Sequence, residues 1–177
     1  MGIQMKLYHH RLKLAEAQDF VAKHHRHSDP LKRHIFSIGA STSRDPFYEP
    51  MGIVTVDRCS SAWSSRRDHI EIRRLCTGPA THNLPVASFL LGKAKQACFA
   101  MGYRCIITYT QPHETGASLK AAGFHMQKWR VRAFESGRVD GRVQWICVDG
   151  QQPNEQDRDF TKDGLARMAD IVKEFSR

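Results

Sequence analysis

Four histidines, His24, His25, His27 and His34, crowd one short stretch of the chain. An imidazole can take a proton near neutral pH or bind a transition metal. His24 and His25 are adjacent at a helix end and point in different directions, so at most one of them shares a site with His34. His25 is a candidate catalytic base, and His24 and His34 are candidate substrate contacts. No HExxH or two-His-one-carboxylate spacing is present, so no metal ligand is assigned; a divalent ion and a purely structural cluster both stay open. Two hydroxyls can protonate a leaving group: Tyr109, at the end of a strand, and Ser88, at the mouth of a helix. Their structural alternatives are a packed ring and a helix cap. Glu114, after His113, can accept a proton from an attacking amine or complement a helix dipole. Glu71 and Arg74 share one strand, where a carboxylate and a guanidinium need partners or a ligand.

The elements that must hold these groups follow from periodicity. Residues 5–8 suit a short strand. Leu14, Phe20 and Val21 recur on one face of a helix over 13–25, which Ser28-Asp29-Pro30 stops. Alternation at 34–40 and 52–56 marks two strands joined by the polar link 41–49. A strand at 69–76 carries Ile70, Ile72 and Arg74 on one face and Glu71, Arg73 and Leu75 on the other. After a turn-rich stretch, Phe89, Leu90, Ala94, Ala97, Cys98 and Met101 recur at helical spacing until Gly102. A strand at 103–109 follows, so residues 69–110 make a βαβ unit with parallel outer strands. A second helix at 116–122 closes at Gly123, and strands at 124–134 and 143–148 flank a hairpin loop at 135–142. Residues 1–150 thus form one domain. Residues 151–177 add a polar linker and a helix whose Leu165, Met168, Ile171, Val172 and Phe175 must cover the domain or a second subunit, which allows a homodimer.

The 177 residues carry 27 Lys and Arg against 18 Asp and Glu, a formal charge of +9. Such a field attracts anions, with nucleic acid, an anionic surface or a phosphorylated cofactor as candidates. The 5 cysteines form no CxxC pair. A disulfide framework and a thiolate zinc site are therefore not indicated, and a reducing cytoplasm is expected. No apolar run reaches the length of a membrane span, so no membrane partner is expected.

The element order, with the segments 71–76, 83–94, 102–110 and 116–124, resembles the GCN5-related N-acetyltransferase (GNAT) fold over roughly residues 5–150. More narrowly, the chain looks like a group of phage and prophage GNAT-like proteins related to the Mom DNA-modification protein of phage Mu. The resemblance implies an α/β (α+β) architecture: a mixed twisted sheet, flanking helices and here an extra C-terminal helix. It implies acetyl-CoA or another acyl donor in a gap between two central strands near Leu75 and Ile107. Arg74, Leu75, Cys76 and Thr77 would meet the pantetheine arm, and Asn83 and Ser88 the pyrophosphate, with Lys93 or Lys95 adding attraction for phosphate. Two departures stand out. The pyrophosphate loop of the family is glycine-rich, whereas residues 81–88 contain no glycine and include Pro85, which lacks an amide donor. The position of the usual tyrosine acid is Leu119.

The function so implied is transfer of a group to a nucleobase amine in single- or double-stranded DNA, by a phage-encoded enzyme in a bacterial cytoplasm. Lys128, Trp129 and Arg130 would supply stacking and phosphate contacts. The alternatives are a conventional acetyl-CoA-dependent N-acetyltransferase for a small-molecule or protein amine, and a noncatalytic DNA binder on the same fold.

Overall fold

The computed structural model describes residues 6–24, 31–45, 49–60, 67–81, 84–111, 113–133 and 139–150. Within them the elements run β1 (Tyr8–Leu12), α1 (Leu14–His24), β2 (Phe36–Ser41), β3 (Gly52–Asp57), β4 (His69–Thr77), α2 (Val86–Ala100), β5 (Cys105–Thr110), α3 (Ala117–Ala121), β6 (His125–Ala133) and β7 (Val139–Val148). The strands form one mixed sheet in the order β1-β2-β3-β4-β5-β7-β6. β4 and β5 are its parallel junction, and the other neighbours are antiparallel.

Alternation along β3 explains how both faces of the sheet are covered. Every residue of β3 is buried. Ile53 points to one face, where it packs with Leu12, Ala17, Phe20, Val21 and Cys76 beneath α1. Val54 and Val56 point to the other, where Ile70, Ile72 and Ile106 meet Leu90 and Leu91 of α2. Burying those two leucines contributes about 3–6 kcal/mol. α2 ends as its sequence predicts: the Gly102 amide donates to Phe99 O at 3.0 Å, and the Tyr103 amide to Cys98 O at 3.1 Å. Gly102 adopts φ +88°. This is a Schellman ending, which glycine enters without a Cβ penalty.

Three sequence expectations shift, and a fourth is not reached. The first strand lies at Tyr8–Leu12 rather than at 5–8. It is an edge strand with one paired side, so its inward positions are marked by Leu12 and by His10, whose Nε2 lies 3.0 Å from Ser41 Oγ and 2.9 Å from Ser43 O. Its outward residues are polar, which hides the strand from a reading based on apolar alternation. β7 starts at Val139 instead of 143, because the β6–β7 ladder continues through Ala133↔Val139 across the glycine and charged residues assigned to the loop. Gly116 lies outside α3 as its left-handed N-cap, at φ +64°. The C-terminal linker and helix expected over 151–177 fall outside the described residues.

Candidate active site

The parallel β4–β5 ladder is short. It pairs His69↔Cys105, Ile70↔Ile106, Glu71↔Ile107 and Ile72↔Thr108, after which β4 continues to Thr77 and β5 to Thr110. A bulge sits at the same place on the other side of β4. Thr55 lies opposite Arg74 and Val56 opposite Ile72, so Arg73 is the extra residue. A bulge bends its strand and sharpens the local twist, which turns β4 away from β5. At the fork, Thr108 Oγ1 donates to Ile72 O at 3.1 Å, so a side chain closes the end of the ladder. Beyond it opens a cavity of about 720 Å³ bounded by β4, β5 and the segment leading into α3. The expected gap is therefore present but displaced: Ile107 lies in the zipped part, and the opening is lined by residues 73–75 of β4 and by Tyr109 and Thr110 of β5.

Side chains of β4 and β5 line the cavity. Glu71 has a side chain only 6% exposed. Its Oε2 accepts from the Ser60 amide at 2.8 Å and from Ser60 Oγ at 3.0 Å, while Oε1 meets Arg73 Nε at 3.3 Å. Glu71 thus pairs with Arg73, which strand alternation puts on the same face. Arg74 Nη1 donates to the Arg73 carbonyl at 2.7 Å. Tyr109 lines the cavity from β5, and its hydroxyl accepts a hydrogen bond from Gln144 Nε2 on β7 at 3.1 Å. Next to it, Thr110 Oγ1 accepts from Trp145 Nε1 at 2.9 Å.

The loop after β5 brings a second carboxylate to the rim. Glu114 is exposed and lines the cavity. Its Oε2 accepts from the Gln111 amide at 2.7 Å, and its own amide donates to Gln111 O at 3.1 Å. This reciprocal turn ties the carboxylate to the loop through Oε2.

Of the residues singled out in the sequence, Arg74, Leu75, Tyr109 and Glu114 line this cavity. Cys76 belongs to the α1 cluster on the opposite face, and Thr77 is exposed at the strand end. Ser88 lies outside the lining and donates its hydroxyl to Pro85 O at 3.1 Å, in the third position of α2. That helix start offers few donors. Pro85 has no amide and the Val86 amide already bonds Leu84 O at 2.8 Å, so Ala87 and Ser88 carry the amides without an intrahelical acceptor. Neither lysine proposed for phosphate reaches the cavity. Lys95 Nζ donates to the last carbonyl region of α3 at Ala122 O, 2.8 Å, and Lys93 Nζ lies over the Phe89 ring at 5.7 Å.

His24 and His34 stand apart from the fork. His24 packs its ring, tilted by 52°, against Phe20 at a centroid distance of 4.5 Å. His34 Nδ1 is 2.6 Å from Oγ of the fully buried Ser37. Burial holds its imidazole below the ordinary histidine range, partly countered by Asp57 and reinforced by Arg11. His25 and Asn83 fall outside the described residues. Among the described residues no group of three or more His, Cys, Asp or Glu could hold a metal ion. Lys128, Trp129 and Arg130 lie on β6, the sheet edge opposite β1. Glu71, Arg73, Ser60 and Gln144 were not among the assigned site residues. The strand alternation placed Glu71 and Arg73 on one face, but the bulge, Ser60 and Gln144 are reached only through tertiary pairing.

The fold has close counterparts among solved structures. Arabidopsis thaliana NAA60 in complex with acetyl-CoA superposes with a TM-score of 0.64 over 81% of this chain and 99% of that one, at 14% identity. An IAA acetyltransferase from Bacillus cereus gives 0.60 over 81% and 99%, at 13% identity. This protein has the GNAT acetyltransferase fold. A Bacillus subtilis acetyltransferase in complex with CoA matches with a TM-score of 0.59 at 12% identity, over 81% of this chain and 99% of that one. No protein-family model and no curated protein matches the sequence. The GNAT fold is therefore carried by an arrangement of strands that survives with little sequence in common. Among the described residues, no helix is long and apolar enough to cross a membrane.

Proposed function

We propose that the protein is an acyl-CoA-dependent N-acyltransferase working at the β4–β5 fork. The observation that carries this reading is the early end of the parallel ladder at Ile72↔Thr108, beside a cavity that holds a tyrosine hydroxyl and two carboxylates. An extended arm bearing amides can add to a strand edge that has run out of rungs. Residues 73–77 of β4 are the edge for it, and the Ala87 and Ser88 amides are the donors for a phosphate. The two similar structures holding CoA and acetyl-CoA support the same donor class here.

A bound acyl-CoA supplies an activated thioester, and the chain supplies proton management. Tyr109 Oη holds a proton for the leaving group, taking over from the missing hydroxyl at Leu119. Glu114 Oε1 accepts the proton that the acceptor amine gives up. Glu71, with Ser60 and Arg73 already on its oxygens, orients the bulged strand. Tyr109→Phe is expected to lower turnover by roughly 10²-fold or more, the usual worth of a positioned acid, with little change in donor affinity.

A second reading concerns the acceptor. The charge of +9 and the basic-aromatic sequence Lys128-Trp129-Arg130 on the edge strand β6 support a nucleobase amine in DNA, as the likeness to the Mom-related group implies. Calorimetric titration with CoA and acetyl-CoA tests the donor, and thiol release with small amines, peptides and single- or double-stranded DNA tests the acceptor. Binding of neither CoA species would overturn the first reading. DNA affinity that falls steeply with salt, together with a mass increase on one nucleoside, supports the second; unmodified DNA overturns it.

A further inference from the structure

Gln144 is an unusual residue for its position. It lies in the middle of β7, flanked by the buried Val143 and Trp145, and is itself 2% exposed. It stands opposite Tyr109 in the β5–β7 register. Burying a primary amide is unfavourable unless its groups are hydrogen-bonded. Here one half is satisfied, with Nε2 donating to Tyr109 Oη at 3.1 Å, while Oε1 has no partner among the described residues. A leucine or methionine of similar volume would avoid that cost in a strand whose neighbours are apolar.

The direction of the one bond it makes is what matters chemically. A phenol oxygen that accepts from an amide N–H keeps its own proton for a different acceptor. The amide reaches Tyr109 from β7, and Tyr109 also lines the cavity. We infer that Gln144 is a positioning residue that holds Tyr109 Oη as an acceptor toward β7 and so aims its proton into the cavity. The inference rests on the role proposed above for Tyr109 as proton donor, and it names the group that fixes the donor's direction.

Raman spectra of the intact protein test the geometry without turnover. The tyrosine Fermi-doublet intensity ratio separates a phenol that accepts a hydrogen bond from one that donates it, and subtraction of the Tyr109→Phe spectrum isolates Tyr109. Wild type should show an acceptor phenol, Gln144→Leu should lose that signature, and Gln144→Glu should convert it to a donor. In steady state, Gln144→Leu and Gln144→Met should lower kcat by roughly tenfold with KM for the donor changed less than about twofold. Their thermal midpoints should match or exceed that of wild type, because an unsatisfied buried oxygen is removed.

An unchanged Raman difference spectrum in Gln144→Leu overturns the inference, as does a donor phenol in wild type. Loss of stability and kcat together would also overturn it, because Gln144 would then be structural. Full activity of Tyr109→Phe is the distinct result that removes the proposed role of Tyr109 itself.

Discussion

Gly116→Ala adds one methyl group where the structure leaves no space. Gly116 adopts φ +64°, in the left-handed region, where a side chain costs about 1–2 kcal/mol. An ideal Cβ there would overlap Trp145 Cζ2 and Cη2 and lie 3.1 Å from Cε2. The indole cannot yield easily, because Trp145 is 2% exposed and its Nε1 bonds Thr110 Oγ1 at 2.9 Å. Overpacking of this kind adds about 1–3 kcal/mol. The combined cost is about 2–5 kcal/mol. For a domain of this size each kcal/mol moves Tm by about 2–4 °C, so the midpoint should fall by about 4–20 °C. Gly92→Ala is the matched control. A Cβ at Gly92 meets nothing within 4 Å in the middle of α2. There the same methyl should stabilise by about 0.5–1 kcal/mol. Thermal unfolding followed by circular dichroism, with urea titrations in parallel, measures both. A Gly116→Ala midpoint indistinguishable from wild type, or an equal loss in Gly92→Ala, would refute the packing described around Trp145.

Glu71→Gln should cost about 1–3 kcal/mol by urea denaturation with an unchanged slope, since it weakens the bonds from Ser60 and leaves Arg73 without its carboxylate; a neutral result would mean the pair adds nothing. His34 should make stability depend on pH in one direction. Its folded imidazole is held below the ordinary range, so the unfolded chain binds the proton first and stability falls as pH drops below about 6.5. His34→Asn should flatten that part of the profile, and an unaltered slope would exclude the assignment. The thiols of Cys59 and Cys98 are pushed up to about 12 and that of Cys105 to about 11, chiefly by burial, and Cys147 is raised as well. These four should react with Ellman's reagent far more slowly in the native protein than after unfolding. Rapid native labelling of Cys98, Cys105 or Cys147 would contradict their burial.

The sequence was most legible where a residue acts through its own element. The βαβ unit, the stop at Gly102 and the place of Tyr109 near a strand end all follow from periodicity and turn chemistry. What stayed hidden depends on two strands meeting. The bulge at Arg73 exists only in the β3–β4 register. Gln144 looks like any polar residue of an alternating strand until Tyr109 is placed opposite it. β1 was displaced because an edge strand needs few apolar residues, and β7 was shortened because glycine and charge suggested a loop where pairing with β6 prevails. Ser88 illustrates the reverse case: its predicted place at a helix mouth is correct, yet its hydroxyl is turned to Pro85.

The short parallel junction also divides the molecule along its chain. Residues 8–77 build the first four strands and residues 105–148 the last three, so each leaf of the sheet is contiguous in sequence. Four pairs of residues and the α2 crossover form the spine between the leaves. Each leaf can complete its own antiparallel pairing before the spine is sewn, which favours local assembly followed by docking. A molecule wedged at the fork would grip both leaves at once, so occupancy should slow amide exchange along the spine more than within either leaf.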